Sequence, residues 1–231
     1  MSVKRVLLKL SGEIFSDEFS LISESSLIRI VKEIKCAIND KVQLAVVIGA
    51  GNIWRGTGKF IERVTADKMG MLATVVNSLA LSDALRKTGI KSSVFSASGI
   101  SSFVETFNKE NVINYIENGC IAILAGGTGN PFFTTDTTAA LRAAEIEADV
   151  LLKATQVDGV YDTDPKKNKN AVKFVSLTFK EALDRHLKIM DIYAFSLCMQ
   201  TKISVVVFDF YKNGNLKRVL NGENVGTLVE A

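Results

Sequence analysis

Four short segments carry residue types suited to handling phosphate. Lys9-Leu10-Ser11-Gly12 sets an ammonium and a hydroxyl beside a glycine that lets backbone approach a ligand closely. Gly49-Ala50-Gly51-Asn52-Ile53-Trp54-Arg55-Gly56 offers backbone N–H groups in a tight turn, and Arg55 can clamp a phosphate with paired hydrogen bonds. Gly126-Gly127-Thr128-Gly129-Asn130-Pro131-Phe132-Phe133-Thr134-Thr135-Asp136 joins turn formers, hydroxyls and a phenylalanine pair, then opens into a helix that Thr135 or Asp136 is expected to cap. Such a turn suits a wall for a flat base, with Thr135 and the helix dipole facing an anion. Lys153 to Asp164 holds an Asp158-Gly159 turn signal, and its Tyr161 and Asp164 can stack on and hydrogen-bond a nucleoside, or simply decorate a hairpin. Each segment alone is a weak signal, since a strand-end lysine or a capped helix explains itself. Together they describe a site about two ligands wide, with one lysine, one arginine and many backbone donors. That is equipment for phosphoryl transfer, where positioning and charge neutralisation carry the chemistry.

The elements that must position these residues are short apolar runs alternating with helical patterns. Strands are expected at Val3–Leu10, Gln43–Ile48, Ser92–Ser96, Ile121–Ala125, Val150–Ala154 and Ile203–Phe208. Helices are expected at Glu24–Asn39, Thr65–Lys87, Lys109–Asn118, Thr137–Ala148, Lys180–Leu187 and Ile192–Met199. The rhythm predicts an α/β fold: a mostly parallel central sheet with helices on both faces, a three-layer sandwich. Ligands of such sheets bind beyond the carboxyl ends of the strands, where the four segments fall. The tail from Asn213 to Val229 reads as a short hairpin or edge strands. No composition shift or repeat divides the chain, so residues 1–231 read as one domain. The Thr65–Lys87 helix is apolar nearly all round in its middle, which predicts burial on all sides and an outer face at a subunit interface.

Composition excludes several classes. Across 231 residues the net charge is +3, too small to suggest a nucleic-acid binder. A hydrophobic fraction of 47% with 23% charged residues argues against global disorder. No apolar run reaches the ~18 residues of a membrane span, and the first run breaks at Ser11-Gly12, too early for a signal peptide. The cysteines, Cys36, Cys120 and Cys198, follow no metal-ligand spacing, which fits a reduced cytoplasmic chain. His186, the single histidine, excludes a multi-histidine metal site. A nicotinamide oxidoreductase is disfavoured because Trp54 occupies the third glycine position of the dinucleotide fingerprint.

Lys9 to Gly12, Gly49 to Gly56, Asp67-Lys68-Met69-Gly70-Met71-Leu72-Ala73-Thr74, Gly127 to Asp136 and Val157-Asp158-Gly159-Val160-Tyr161 resemble, in order and spacing, the bacterial uridylate kinases of the amino-acid kinase superfamily. The resemblance covers nearly the whole chain and implies UMP plus ATP giving UDP plus ADP, in pyrimidine nucleotide biosynthesis, with Mg²⁺ held mainly by the nucleotide phosphates and no protein metal site. It implies that Lys9 neutralises the phosphoryl group in flight, that Leu10, Ser11, Gly12 and Gly51 cradle ATP phosphates, and that Arg55 holds phosphate between the substrates. It places Asp67 on the UMP ribose and Ala50 and Thr128, Gly129, Asn130, Pro131, Phe132, Phe133, Thr134 and Thr135 along UMP. It assigns Thr155, Tyr161 and Asp164 to adenosine, and Asp191 to orienting the site, where a helix N-cap is the plainer role. The N-terminal part would then be mainly UMP site and subunit interface, and the C-terminal part mainly ATP site. A hexamer built from three dimers, inhibition by UTP and allosteric control by GTP are also implied. The chain departs from the pattern at Ala50, Gln156 and Ser82, and the serine predicts weak GTP activation. The alternatives are a carboxylate or carbamate kinase of the same superfamily, which gives no reason for Phe132-Phe133, and a non-catalytic nucleotide-binding or storage protein, against which Lys9 and Arg55 argue.

Overall fold

A computed structural model describes residues 4–39, 41–56, 60–100, 102–165 and 167–230. The strands are β1 (Arg5–Leu10), β2 (Gln43–Ile48), β3 (Ser92–Ser96), β4 (Glu105–Thr106), β5 (Ile121–Ala125), β6 (Val150–Thr155), β7 (Ser176–Thr178), β8 (Ser204–Asp209) and β9 (Thr227–Glu230). The helices are α1 (Glu24–Ala37), α2 (Arg63–Lys87), α3 (Lys109–Glu117), α4 (Thr135–Glu145), α5 (Phe179–Asp184), α6 (Ile192–Thr201) and α7 (Asn215–Leu220). Among the described residues the strands form one sheet in the order β4-β3-β5-β2-β1-β6-β8-β9-β7. Every pairing is parallel except β8 with β9.

Side chains alternate across the sheet, and the core is accordingly split in two. Val6, Leu8 and Leu10 pack with Ile30 and Ile34 of α1, Leu81 and Leu85 of α2 and Leu216 of α7. Leu7 packs on the opposite face with Val112 of α3, Ala139 and Ala143 of α4 and Phe195 of α6. Full burial of one such leucine stabilises by about 1.5–3 kcal/mol, so the two-sided central strands dominate the hydrophobic term. By the same parity Lys9 belongs to the face that carries Leu7, under α4.

The expected α/β sandwich is therefore present, with differences at its margins. The first strand begins at Arg5, and Val3 lies outside the described residues. The Asn213–Val229 tail is not a hairpin. It folds as α7, whose Leu216 and Val219 face the core, followed by β9, which lies inside the sheet between β8 and β7. A helical spacing of apolar residues, entered through Gly214 at a φ of 80°, outweighs the turn formers there. The fourth helix starts two residues before the expected Thr137, and its cap is Thr134 rather than Thr135 or Asp136: the Thr134 hydroxyl accepts from the amides of Asp136 and Thr137. Asp136 is freed for another task.

Helix α2 inverts the usual pattern. Its inward residues include the buried polar side chains Thr74, Asn77, Ser78 and Ser82, whereas Leu72, Val76 and Leu79 form an exposed apolar stripe. The expectation of burial on all sides thus fails within a single copy of the chain.

Candidate functional site

The site lies at the carboxyl ends of β1, β2, β5 and β6. Strands β1 and β6 are neighbours, and Lys9 stands opposite Lys153 in their register. Both lysines therefore rise from the same face, side by side, beneath the start of α4. Asp136 of α4 reaches down between them: its Oδ1 is 3.0 Å from the Lys9 ammonium and its Oδ2 2.6 Å from that of Lys153. Lys153 also donates to the carbonyl of Ile189 at 2.5 Å. Among the described residues Oδ1 has no aligned hydrogen-bond donor, so its approach to Lys9 is a charge contact. Burial pushes the Asp136 carboxyl up, but the charges of Lys9 and Lys153 outweigh it and hold it below the usual range. For Lys153 burial is the largest influence and wins, so its ammonium is pulled down despite Asp136.

The loop after β2 closes over this trio. A Cβ on Gly12 would run into the Gly51 amide and the Asn52 side chain, so the turns after β1 and β2 meet at backbone distance. Gly49 lies against Thr135, whose hydroxyl would be 3.3 Å from a Cβ there. Ala50 is not among the described non-glycine residues with positive φ, so its methyl is accommodated without that strain. Arg55, mostly exposed, bonds the Gly51 carbonyl at 3.0 Å and pairs with Glu13 at 3.0 Å.

Beside the trio is a cavity of about 290 Å³, lined by Ala50, Gly51, Asp67, Phe133, Thr134 and Thr135 among others. Its floor is the amino end of α4, whose Asp136 and Thr137 amides are held by the Thr134 hydroxyl and whose dipole favours an anion. Asp67 accepts from Arg63 and, at 2.7 Å, from the backbone amide of Phe132. Burial raises its carboxyl, but these bonds and the Arg63 charge prevail and hold it low. The second of them fixes Phe132 at a φ of 73°, a costly conformation for an aromatic residue. The phenylalanines take different parts: Phe133 lines the cavity, while Phe132 turns outward under the Arg63 guanidinium. Thr128, Gly129, Asn130 and Pro131 form the rest of this turn outside the cavity lining, with Thr128 and Asn130 bonded to each other.

Asp191 is both an N-cap and a link between helices. Its Oδ1 caps α6 through the amides of Tyr193 and Ala194. Its carboxylate also accepts from the hydroxyls of Thr134, at 2.5 Å, and Thr137, at 2.9 Å. The amino ends of α4 and α6 are thus laced together at the site. On the far side of β6, Thr155 bonds the carbonyls of Val157 and Phe208, and Tyr161 donates to Asp158 at 2.6 Å. Asp164 begins a turn whose Lys167 and Asn168 amides bond its carbonyl. Thr155, Tyr161 and Asp164, expected to hold a second nucleotide, thus lie at and beyond the end of β6, outside the lining of the Asp67 cavity. A larger hollow of about 780 Å³ opens among Lys4, Lys41 and Glu117 at the opposite strand ends and contains none of these groups.

Sequence reasoning left Asp136 and Lys153 out of the functional set. Their signal was present: Lys9 and Lys153 each interrupt an otherwise apolar strand one or two residues before its end.

A sequence model described as the amino acid kinase family matches residues 4–209. The structure is similar to that of a UMP kinase from Bacillus anthracis, with a TM-score of 0.95 and 35% identity over 100% of this chain and 97% of that one. It is also similar to a UMP kinase from Ureaplasma parvum, with a TM-score of 0.94 and 37% identity over 100% of both chains.

Proposed function

The chain belongs to the amino acid kinase family, and we propose that it is a nucleoside monophosphate kinase that transfers the γ-phosphoryl group of ATP to UMP, giving UDP and ADP. The observation that carries this reading is the full-length likeness to two solved UMP kinases. The geometry supports it: an anion-favouring helix end and a carboxylate share one cavity, adjacent to paired lysines at the strand ends.

In this reading UMP occupies the cavity, its ribose hydroxyls donating to Asp67 and its phosphate lying on the amino end of α4 near Thr134 and Thr135. The turn from Thr128 to Phe133 closes over uracil. ATP lies beyond the end of β6 against Thr155, Tyr161 and Asp164, with its phosphates over Leu10, Ser11, Gly12 and Gly51. The chain thus divides into an N-terminal part serving mainly UMP and the subunit interface, and a C-terminal part serving mainly ATP. The transferring group passes in line between the two substrates above β1. Lys9 and Lys153 neutralise its developing charge, Asp136 holds both ammoniums in place, and Arg55 leaves Glu13 to bind phosphate. Asp191 fixes the helix ends from which the acceptor phosphate is held. Preorganised charges of this kind act on the transition state more than on the bound substrates.

Among the described residues no group of three or more His, Cys, Asp or Glu side chains is placed to hold a metal ion. The nearby carboxylates Asp136 and Asp191 are committed to lysines and hydroxyls. In this reading magnesium would enter on the ATP phosphates and would supply neutralising charge there. Among the described residues no helix is long and apolar enough to cross a membrane. The three free cysteines suit a reducing cytoplasm, and we propose that the enzyme serves pyrimidine nucleotide biosynthesis there. UTP is the expected inhibitor, because it can enter the UMP cavity. The exposed Leu72–Val76–Leu79 stripe supports dimers paired through α2, three of which would form a hexamer.

The test is ADP formation from ATP with UMP, CMP, AMP and GMP as acceptors. UMP should give the highest kcat/KM, because a wrong base leaves buried polar groups unpaired. Equal values for UMP and CMP would overturn the substrate assignment.

A further inference from the structure

The polar residues on the inner side of α2 are hard to explain by packing. Asn77 is fully buried in the middle of the helix. Asparagine is a poorer helix former than leucine, and a buried carboxamide is costly unless every bond is made. Here the bonds are made, and all lead to the site. Asn77 donates to the Gly49 carbonyl at 2.9 Å and to Asn52 Oδ1 at 2.8 Å. Asn52 returns a bond to Asn77 Oδ1 at 3.0 Å and donates to the Leu21 carbonyl at 2.7 Å. Gly49 opens the loop that carries Gly51 and Arg55. One turn earlier on the helix, the buried Thr74 accepts from the Gly126 amide at 2.8 Å and donates to its own helix at the Met71 carbonyl. Gly126 opens the loop that runs to Phe133 and Thr134. One rigid helix therefore grips the first residue of each loop, through side chains that elsewhere in a core would be aliphatic.

Resting on the UMP kinase reading above, we propose that Asn77 and Thr74 are positioning residues with divided tasks. Asn77 sets the phosphate loop, and through it the backbone of Gly51 and the guanidinium of Arg55. Thr74 sets the loop that closes over the acceptor base. Displacing the phosphate loop disturbs groups that act on the moving phosphoryl group, and so lowers kcat. Displacing the other loop weakens ground-state binding of UMP, and so raises KM.

The experiment is steady-state kinetics of Asn77→Asp, Asn77→Ala, Asn52→Ala, Thr74→Val and Thr74→Ser beside the wild type, with unfolding temperatures recorded for each. Asn77→Asp preserves shape but loses the donor to Gly49, and Thr74→Val preserves shape but loses the hydroxyl. Misplacement of reacting groups by about 1 Å costs up to about 10²-fold. We expect the Asn77 variants to lose at least about tenfold in kcat, with a smaller rise in the UMP KM because Ala50 and Gly51 of the same loop line the UMP cavity. Asn52→Ala, which leaves the Gly49 bond in place, should lose less. Thr74→Val should raise the UMP KM at least about tenfold with kcat within about threefold, and Thr74→Ser should restore it. Folded Asn77 and Asn52 variants with unchanged kcat, or a folded Thr74→Val with an unchanged UMP KM, would overturn the inference while leaving the UMP kinase reading intact. A wild-type chain that forms no ADP from UMP refutes that reading, and the inference with it.

Discussion

Replacing Asp136 with asparagine tests the charge arrangement at the centre of the site. The carboxylate is 3.0 Å from Lys9 and 2.6 Å from Lys153, and none of the three side chains is more than 16% exposed. At an effective dielectric constant of about 20, each contact represents about 5–6 kcal/mol of gross attraction. Desolvation of three charged groups takes back most of that. Asp136→Asn does not return the lysines' share, because both ammoniums stay buried without their anion. Removing one partner of a buried ion pair costs about 3–5 kcal/mol, and we expect a stability loss of that size at neutral pH. The pH dependence follows from Lys153, whose ammonium burial already pulls below the ordinary lysine value of 10.5. Without Asp136 it falls further. A lysine lowered in the folded state destabilises that state below its folded pKa, and this penalty fades as pH rises toward the unfolded value. The stability gap between Asp136→Asn and wild type should therefore narrow in urea unfolding as pH rises toward the ordinary lysine value of 10.5. On the acid side, wild-type stability from Asp136 is present above 3.8 and lost as pH falls through its lowered folded value, and the variant lacks that loss. In the same preparations kcat should drop about 10²–10³-fold, the usual cost of one preorganised charge. A folded variant within about 1 kcal/mol of wild type, or a gap that widens with pH, would refute the reasoning.

Further outcomes are expected. Lys9→Ala should lower kcat by about 10²–10³-fold, worth about 2.7–4 kcal/mol, with a smaller change in the UMP KM; near-wild-type kcat would remove Lys9 from the mechanism. Val76→Glu places a charge on the exposed stripe of α2 and should dissociate the assembly in light scattering, whereas a wild-type monomer at micromolar concentration would sink the assembly itself. GTP should activate weakly, because Ser82 is buried and hydrogen-bonded to Ser92 rather than presented to a triphosphate. A several-fold, saturable rise in initial rate at sub-saturating UMP would show otherwise.

The strands Gln43–Ile48 and Ile121–Ala125 were legible to the residue, because strands covered on both faces read as near-continuous apolar runs between turn formers, and Ser92–Ser96, with only Val94 and Phe95 apolar, was legible from its place in the alternation of strands and helices. The two-residue β4 and three-residue β7 gave no such run, since their stability comes from neighbours distant in sequence. Helix α7 was hidden by Gly214 and Asn215, whose turn propensity masked the spacing of Leu216 and Val219. At the site, glycines, threonines and Arg55 marked the loops. The pairing of Lys9 with Lys153 depends on strand register, and the reach of Asp136 depends on Thr134 having taken the cap. Neither is visible until β1 and β6 are known to be neighbours. The inward polar residues of α2 were missed for a related reason: its many apolar residues read as burial all round, and only the fold shows that Asn77 and Ser78 lie on its buried side.

In the mechanism proposed above, where Arg55 binds phosphate, its contact with Glu13 gives ligand capture the character of ion exchange. In the free chain this guanidinium is already matched with a carboxylate at 3.0 Å. An incoming phosphate does not meet a bare cation; it displaces one anion and takes its place, releasing Glu13 to solvent. Two sequential ion pairs replace one another with little change in the charge that bulk salt must screen. Only an anion that outbids a monodentate carboxylate keeps the arginine, and a phosphate accepting both arms of the guanidinium fork does so.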